Sequence, residues 1–299
     1  MNDPQPVPYI DMHCHSTYSD GSLTPGELID LAGRTSLSGL CITDHDTINA
    51  YPEAIYAAHA QNIEMISGVE FSALQGTTSV HLLGYSFAID HPRILKLCQF
   101  HQERRQERNA AMLKKLKAFG MEVHPEELLE GPLSYGSDGE VLSSIGRPHI
   151  AAAMVRRGYI ENVDEGFKRF LGDGKPCYVE GEGVSVEETL ATIQAAGGFG
   201  VIAHPHLIRS PKIVAKLLDL PFDGVEVYYA HFPFQKERPW LKIAEKKKWL
   251  ITGGSDFHGD SKPHIYLGAS WIDQQHFAPF LERFYKNNPN LAPKNKLHE

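Results

Sequence analysis

Eleven imidazoles and carboxylates that could ligate a metal ion recur along this chain at the ends of short apolar runs or just beyond them. His13 and His15 follow the first run, with Asp20 in the loop behind them. Asp44, His45 and Asp46 follow the second, Glu70 closes the third, His81 lies in the fourth, His204 ends the fifth, and Asp256 and His258 close the last. His13 and His15 stand two apart, so in extended chain both rings project to the same side and can serve one ion. Nitrogen and oxygen donors without thiolate suit Zn²⁺, Mn²⁺ or Fe²⁺; the set is too rich in nitrogen for Ca²⁺ or Mg²⁺. Singly, each of these residues reads as an ordinary hydrogen-bonding group, as do His59, His101, His124, His276 and His298, and Asp46 reads as a helix cap. Joint placement is what points to metal, because chance would scatter such residues over both ends of the strands.

The elements that must position them alternate. Tyr9–Met12, Leu40–Thr43, Met65–Phe71 and Val80–Tyr85 read as strands, separated at first by helices opening at Thr24-Pro25 and near Tyr51. The alternation resumes with a helix over Val186–Ala196 and strands at Gly200–Ala203, Gly224–Tyr228 and Leu250–Thr252. That is the pattern of a parallel α/β barrel, whose C-terminal strand ends converge on one rim where active sites are built. Between Pro92 and Asp173 strand signals vanish. Leu97, Phe100, Met112, Leu113, Leu116 and Phe119 predict one long helix ended by Gly120, followed by helices over Pro148–Arg157 and Asp164–Phe170. The expected organisation is a discontinuous barrel over residues 8–91 and 174–286, with a helical subdomain inserted at 92–173.

Composition narrows the classes. The chain has 299 residues, 42% of them hydrophobic, enough for a sizeable core. A net charge of −8 excludes a basic surface for coating nucleic acid but permits a local anion site. No apolar run approaches a membrane span, and Met1–Pro8 lacks a secretory pattern, so a cytoplasmic location is expected. The four cysteines are too widely spaced for a paired zinc module and are expected to be buried thiols. The tail from Asn287 is expected to fray.

The segments that carry these residues resemble a known family. Asp11-Met12-His13-Cys14-His15-Ser16-Thr17-Tyr18-Ser19-Asp20-Gly21 looks like the first motif of the polymerase and histidinol phosphatase (PHP) family. Thr43-Asp44-His45-Asp46-Thr47, Ala203-His204-Pro205 and Gly254-Ser255-Asp256-Phe257-His258 resemble the other three, in the family's order. The resemblance implies a distorted (β/α)₇ barrel and up to three divalent ions, with Mn²⁺ first and Zn²⁺ or Fe²⁺ as alternatives. One ion would take His13, His15, Glu70 and Asp256; a second Glu70, His81 and His204; a third Asp20, His45 and His258. Three ions bring +6 against −3 from Asp20, Glu70 and Asp256, which leaves a cleft suited to a phosphate dianion. A metal-bridging hydroxide would attack phosphorus, with Asp44 or His231 as candidate proton donors.

Specificity is expected from the insert. Arg104 and Arg108 stand four apart on one helical face, whereas Arg105 reads as solvated. Arg147 directly before a helix, His149 and Lys175 complete a candidate receptor for a second phosphate. Together these features resemble one PHP subgroup, the stand-alone bacterial 3′,5′-nucleotide bisphosphate phosphatases, also described as short-RNA 5′→3′ exonucleases. The resemblance implies removal of the 3′-phosphate from adenosine 3′,5′-bisphosphate to give AMP. Alternatives are an exonuclease on short oligonucleotides, a histidinol-phosphate phosphatase and, least favoured, a non-catalytic metal-stabilised module. A nucleotide is the expected partner, without a membrane; the oligomeric state stays open.

Overall fold

A computed structural model describes residues 9–180 and 183–292; the Met1–Pro8 segment and the end of the tail lie outside them. The first βα units form as their caps dictate. β1 (Tyr9–Cys14) leads to α1 (Pro25–Arg34), where the Thr24 hydroxyl accepts from the Glu27 amide at 3.2 Å and the Glu27 carboxylate accepts from the Thr24 amide at 2.8 Å. β2 (Leu37–Ile42), α2 (Tyr51–Ala60) and the two-residue β3 (Glu64–Met65) follow. α1 buries Leu28, Ile29 and Ala32 in one apolar cluster with Leu40 and Ile42 of β2. The sheet runs β3-β2-β1-β9, parallel except for the short β9 (Ile272–Asp273), which pairs antiparallel with β1.

A second sheet is built from β4 (Gly68–Gln75), β5 (Thr78–Tyr85), β6 (Phe199–Ile202), β7 (Gly224–Tyr229) and β8 (Leu250–Gly254), in that order. The structure corrects the expected all-parallel barrel here. β5 is antiparallel to both β4 and β6, and the strand expected over Met65–Phe71 breaks at Ile66-Ser67 to serve two sheets. Among the described residues the sheets are joined only by isolated bridges, His45 with Glu70 and Cys14 with Phe257, so no closed (β/α)₇ ladder forms. Both bridges lie within the candidate ligand set or beside it. The joint between the sheets therefore coincides with the site.

α6 (Val186–Ala195), α7 (Pro211–Leu218) and α8 (Phe234–Lys247) cover the second sheet, and Val186, Leu190, Leu217 and Ala244 share a core with Val80, Ile202 and Val225. α9 (Gln274–Asn287) is capped by Asp273 and sinks Phe277, Phe280 and Phe284 among Ile10, Met12 and Val201. Asn287 itself is therefore helical, and the Pro289–Leu291 turn is still described beyond it.

Residues 92–173 hold no named strand. α3 (Pro92–Ala118) ends at Gly120, whose φ of +79° is the left-handed conformation that suits glycine. Its buried stripe runs through Ile94, Leu97, His101, Met112 and Leu116, leaving Phe100 and Phe119 exposed. α4 (Arg147–Arg156) and α5 (Val163–Gly166) follow; the expected helix then widens into a π turn over Phe167–Leu171. These elements share a separate apolar core containing Met112, Leu116, Ile150, Met154 and Leu171. All four cysteines are free and buried, and among the described residues no helix is long and apolar enough to cross a membrane.

Candidate metal centre and anion cleft

Glu70, 1% exposed, is the hub of the site. Its Oε2 faces His13 Nε2 at 3.4 Å, His15 Nε2 at 3.2 Å and His45 Nδ1 at 3.2 Å, while Oε1 meets His81 Nδ1 and His204 Nε2 at 2.7 Å each. Asp256 Oδ1 lies 3.5 Å from His13 Nε2 and 3.3 Å from His15 Nε2. Asp20 stands 3.4 Å from His258 Nε2 and 3.7 Å from His45 Nε2. All nine side chains expected to bind metal are thus brought together. Three subsets hold their donor atoms within 4.8 Å of one another: His13, His15, Glu70, Asp256; His15, Asp20, His45, His258; and His45, Glu70, His81.

The donor geometry fits metal ions better than hydrogen bonds. Buried Nε2 of His13 and His15, Nδ1 of His45 and Oδ1 of Asp20 have no hydrogen-bond partner, a costly state unless an ion takes them. Separations of 3.2–3.7 Å around them exceed the usual N–H···O distance. They match ligands spread tetrahedrally around an ion at about 2.1 Å, which sit roughly 3.4 Å apart. Burial alone would raise the carboxyls of Glu70, Asp20 and Asp256. The imidazoles beside them, and for Asp256 also Lys262, outweigh burial and hold all three well below the usual range, so they stay anionic.

Backbone and buried polar groups fix these rings. A Cβ on Gly254 would lie 2.4 Å from His13 Cβ, so only glycine lets β8 lie against β1 at this point. Asp11 accepts from the amides of His13 at 3.1 Å and Ser255 at 3.0 Å through Oδ1, and from Gly268 at 2.8 Å through Oδ2. Burial pushes the Asp11 carboxyl up to about 6 despite these bonds. His204 and Asp256 have left-handed backbone, φ +25° and +54°, strain of the kind that persists at functional sites when neighbours enforce it. Glu226, wholly buried, accepts from His13 Nδ1 at 2.8 Å and from the His204 amide at 2.6 Å. Tyr229 Oη and Lys262 Nζ donate to Asp256 Oδ2 at 2.6 and 2.7 Å.

Beside the cluster lies a cleft of about 270 Å³, lined by Asp20, His45, His81, His258 and Lys262 and also by Arg105, Arg108 and Arg147. Arg105 corrects its expected solvation: Nε and Nη2 donate to Asp46 Oδ2 at 2.8 and 2.6 Å, and its side chain is 12% exposed. Asp46, expected as a cap, also accepts from the Ser72 amide at 2.7 Å. Burial, then Arg105 and Arg147, lower Arg108 to about 10, as expected of a cation held ready for an anion. Arg147 is paired with Asp173 at 2.7 Å, Arg104 with Glu107 at 3.3 Å in an adjoining small cavity, and Lys175 lines a neighbouring groove. Three expectations are corrected. The Asp44 carboxylate is spent on Ser16 and Ser19 and is 1% exposed; His231 lines a separate cavity beside Trp271; and His149 Nδ1 accepts from the Gly146 amide as the α4 cap. None of the three borders the cleft.

The PHP domain family matches residues 11–141. The chain is 35% identical to a 5′-3′ exoribonuclease of Haemophilus influenzae over 256 residues, covering 83% of this chain and 89% of the relative. It is 32% identical to a 3′,5′-nucleoside bisphosphate phosphatase of Chromobacterium violaceum over 254 residues, covering 83% and 87%. The chain belongs to the PHP family. A structure from Bifidobacterium adolescentis, assigned as a metal-dependent phosphoesterase, superposes on the PHP chain with a TM-score of 0.82 at 30% identity, covering 94% of this chain and 98% of that one. In this PHP chain, sequence reasoning missed Asp11, Glu226, Tyr229, Lys262 and the inward role of Arg105. Asp11 stood inside the first motif as a signal; Glu226 had none, being a lone acid in an apolar strand.

Proposed function

We propose that the protein is a metal-dependent phosphomonoesterase that removes the 3′-phosphate from nucleoside 3′,5′-bisphosphates, turning adenosine 3′,5′-bisphosphate into AMP and phosphate. The observation that carries this reading is a cleft lined both by metal-type donors and by three arginines. Two anion receptors facing one space suit a substrate with two phosphates. The name of the C. violaceum relative supports the same substrate.

His13, His15, Glu70 and Asp256 would hold one divalent ion, Glu70, His81 and His204 a second, and Asp20, His45 and His258 a third, with Mn²⁺ preferred over Zn²⁺ or Fe²⁺. When bound, such ions make water a nucleophile at neutral pH and neutralise phosphate charge. The oxygen of water bonds to phosphorus, the P–O3′ bond breaks, and O3′ leaves with a proton as the ribose hydroxyl. Arg105, Arg108 and Arg147 hold the 5′-phosphate, and Lys262 adds a cation on the metal side of the cleft. Recognition thus falls to the insert at 92–173 and chemistry to the discontinuous 8–91 and 174–286 part. A cytoplasmic location accords with a nucleotide substrate.

The test is phosphate release by Mn²⁺-loaded protein from adenosine 3′,5′-bisphosphate, 3′-AMP, 5′-AMP and histidinol phosphate, with products separated by chromatography. The bisphosphate is expected to be preferred, with 5′-AMP as product. Preference for histidinol phosphate would overturn the two-phosphate cleft.

A further inference from the structure

The carboxylate of Asp256 divides its two oxygens between different neighbours. Oδ1 faces His13 Nε2 at 3.5 Å, His15 Nε2 at 3.3 Å and His258 Nδ1 at 3.5 Å. Oδ2 instead accepts from Tyr229 Oη at 2.6 Å and from Lys262 Nζ at 2.7 Å. One oxygen is thus free for an ion, and the other is occupied by two donors.

Those two donors stand in different surroundings. Tyr229 is buried against the rings of His13, His204 and His206 and does not line the cleft. Lys262 does line it, with 37% of its side chain exposed, and is the one lysine among the described residues that does. A single 3₁₀ turn over Gly259–Ser261 holds it there. The Asp260 amide donates to Ser22 Oγ at 2.9 Å and the Ser261 hydroxyl to the Asp20 carbonyl at 3.2 Å, so the turn is pinned to the loop that carries Asp20. An ammonium has three N–H donors. Among the described residues Asp256 is the only acceptor that Lys262 meets, which leaves two donors for a ligand in the cleft. Holding Asp256 needs no cation at this place, because Tyr229 grips the same oxygen from the buried side.

We propose that Lys262 binds an outer oxygen of the scissile phosphate and makes the site prefer a terminal phosphate to an esterified one. This rests on the phosphatase reading above and leaves its hydrolysis unchanged. A monoester dianion spreads two charges over three outer oxygens, whereas a diester has one charge on two. With Arg105, Arg108 and Arg147 on the 5′-phosphate, Lys262 is the cleft cation left for the third oxygen. A hydrogen bond between two charged groups is about twice as strong as a neutral one. An ester group on that oxygen removes the charge and sets carbon against the ammonium. Tyr229 is then a positioning residue, which keeps Asp256 in place while the ammonium serves the phosphate.

The test compares adenosine 3′,5′-bisphosphate with the same nucleotide methylated on one outer oxygen of its 3′-phosphate. The two share the leaving oxygen and the 5′-phosphate, so the ratio of their kcat/KM values reads that one oxygen. Where the methyl ester binds without being cleaved, its inhibition constant takes the place of kcat/KM. At saturating Mn²⁺, Lys262→Met is expected to lose about 30-fold on the bisphosphate and less than about threefold on the methyl ester. Tyr229→Phe removes the other donor to the same carboxylate oxygen. It is expected to weaken Mn²⁺ binding about tenfold in equilibrium titration, yet to leave the ratio of the two nucleotides within about twofold. Equal losses on both nucleotides in Lys262→Met would overturn the proposal, as would a wild type that does not distinguish them. A ratio that collapses as far in Tyr229→Phe would overturn it too, because Lys262 would then act only through Asp256. Wild type that leaves the bisphosphate intact would instead sink the phosphatase reading beneath it.

Discussion

Glu226 joins two strands through one carboxylate: Oε1 takes the His13 ring and Oε2 the amide of His204. A glutamine there keeps the size but has only one accepting oxygen, so its NH₂ must face a donor. Either His13 loses the bond that turns Nε2 toward Glu70 and Asp256, or His204 loses the amide bond that supports its strained backbone. Glu226→Gln is therefore expected to weaken Mn²⁺ binding about 10- to 100-fold, read by equilibrium titration of metal-free protein. Unchanged affinity would show that the ligands hold themselves. Glu70→Gln should do more, because it removes the carboxylate shared by two ligand groups; retention of full metal content would disprove the shared hub. These residues differ in how visible they are. His13, His15 and Asp256 show themselves by type and by position at strand ends. Glu226 sits mid-strand, and only tertiary pairing reveals it. Arg105 was hidden for another reason: Arg104, Arg105 and Arg108 crowd one arc of a helix, and periodicity alone does not say which of them meets a buried acid across the interface.

Elements carry the same lesson at larger spacing. Only Gly76 and Thr77 separate β4 from β5, and a parallel pair needs a crossover of roughly a dozen residues, so this pair had to be antiparallel. Gly76 at φ +66° turns the hairpin, a turn that the parallel-barrel reading of the sequence passed over. The antiparallel β5–β6 pairing leaves no such local signal, since the whole helical insert intervenes between the two strands. The insert in turn is tied to the sheets by Arg105 of α3, which reaches Asp46, next to the candidate ligand His45, and Ser72 of β4. Asp46 is completely buried, so removing its guanidinium leaves a charge with too few partners. Arg105→Ala is expected to cost about 3 kcal/mol in urea unfolding. A loss below about 0.5 kcal/mol would mean the pair is as weak as a surface one. Arg147→Ala, by contrast, keeps α3 docked. It should raise KM for a bisphosphate far more than for an aryl phosphate, and an equal rise would remove it from recognition.

Across the whole molecule, the two sheets meet where the candidate ligands cluster, so an ion bound there would be a structural as well as a chemical component. Between β2 and β4 the joint is the His45–Glu70 bridge, and between β1 and β8 it is Cys14–Phe257, one residue from both His15 and Asp256. Ligands of one group come from both sheets: His13 from β1, Glu70 from β4. An ion bound by such a group crosslinks the sheets, and it binds the folded state far better than an unfolded chain. Stabilisation then follows mass action, about 4 kcal/mol for a single site at a thousandfold excess over Kd. For a chain of this size, at about 2.1 cal/mol/K of unfolding entropy per residue, that amounts to a melting shift of roughly 6 °C. Removal of metal by chelation is expected to lower the melting temperature by at least that amount, and Mn²⁺ to restore it. The same restoration should be blunted in Glu70→Gln, which separates specific binding from a general salt effect. A melting temperature indifferent to chelator and Mn²⁺ would mean that the bridges and the apolar cores close the joint unaided, and that the clustered imidazoles are not bound to an ion when the chain is folded.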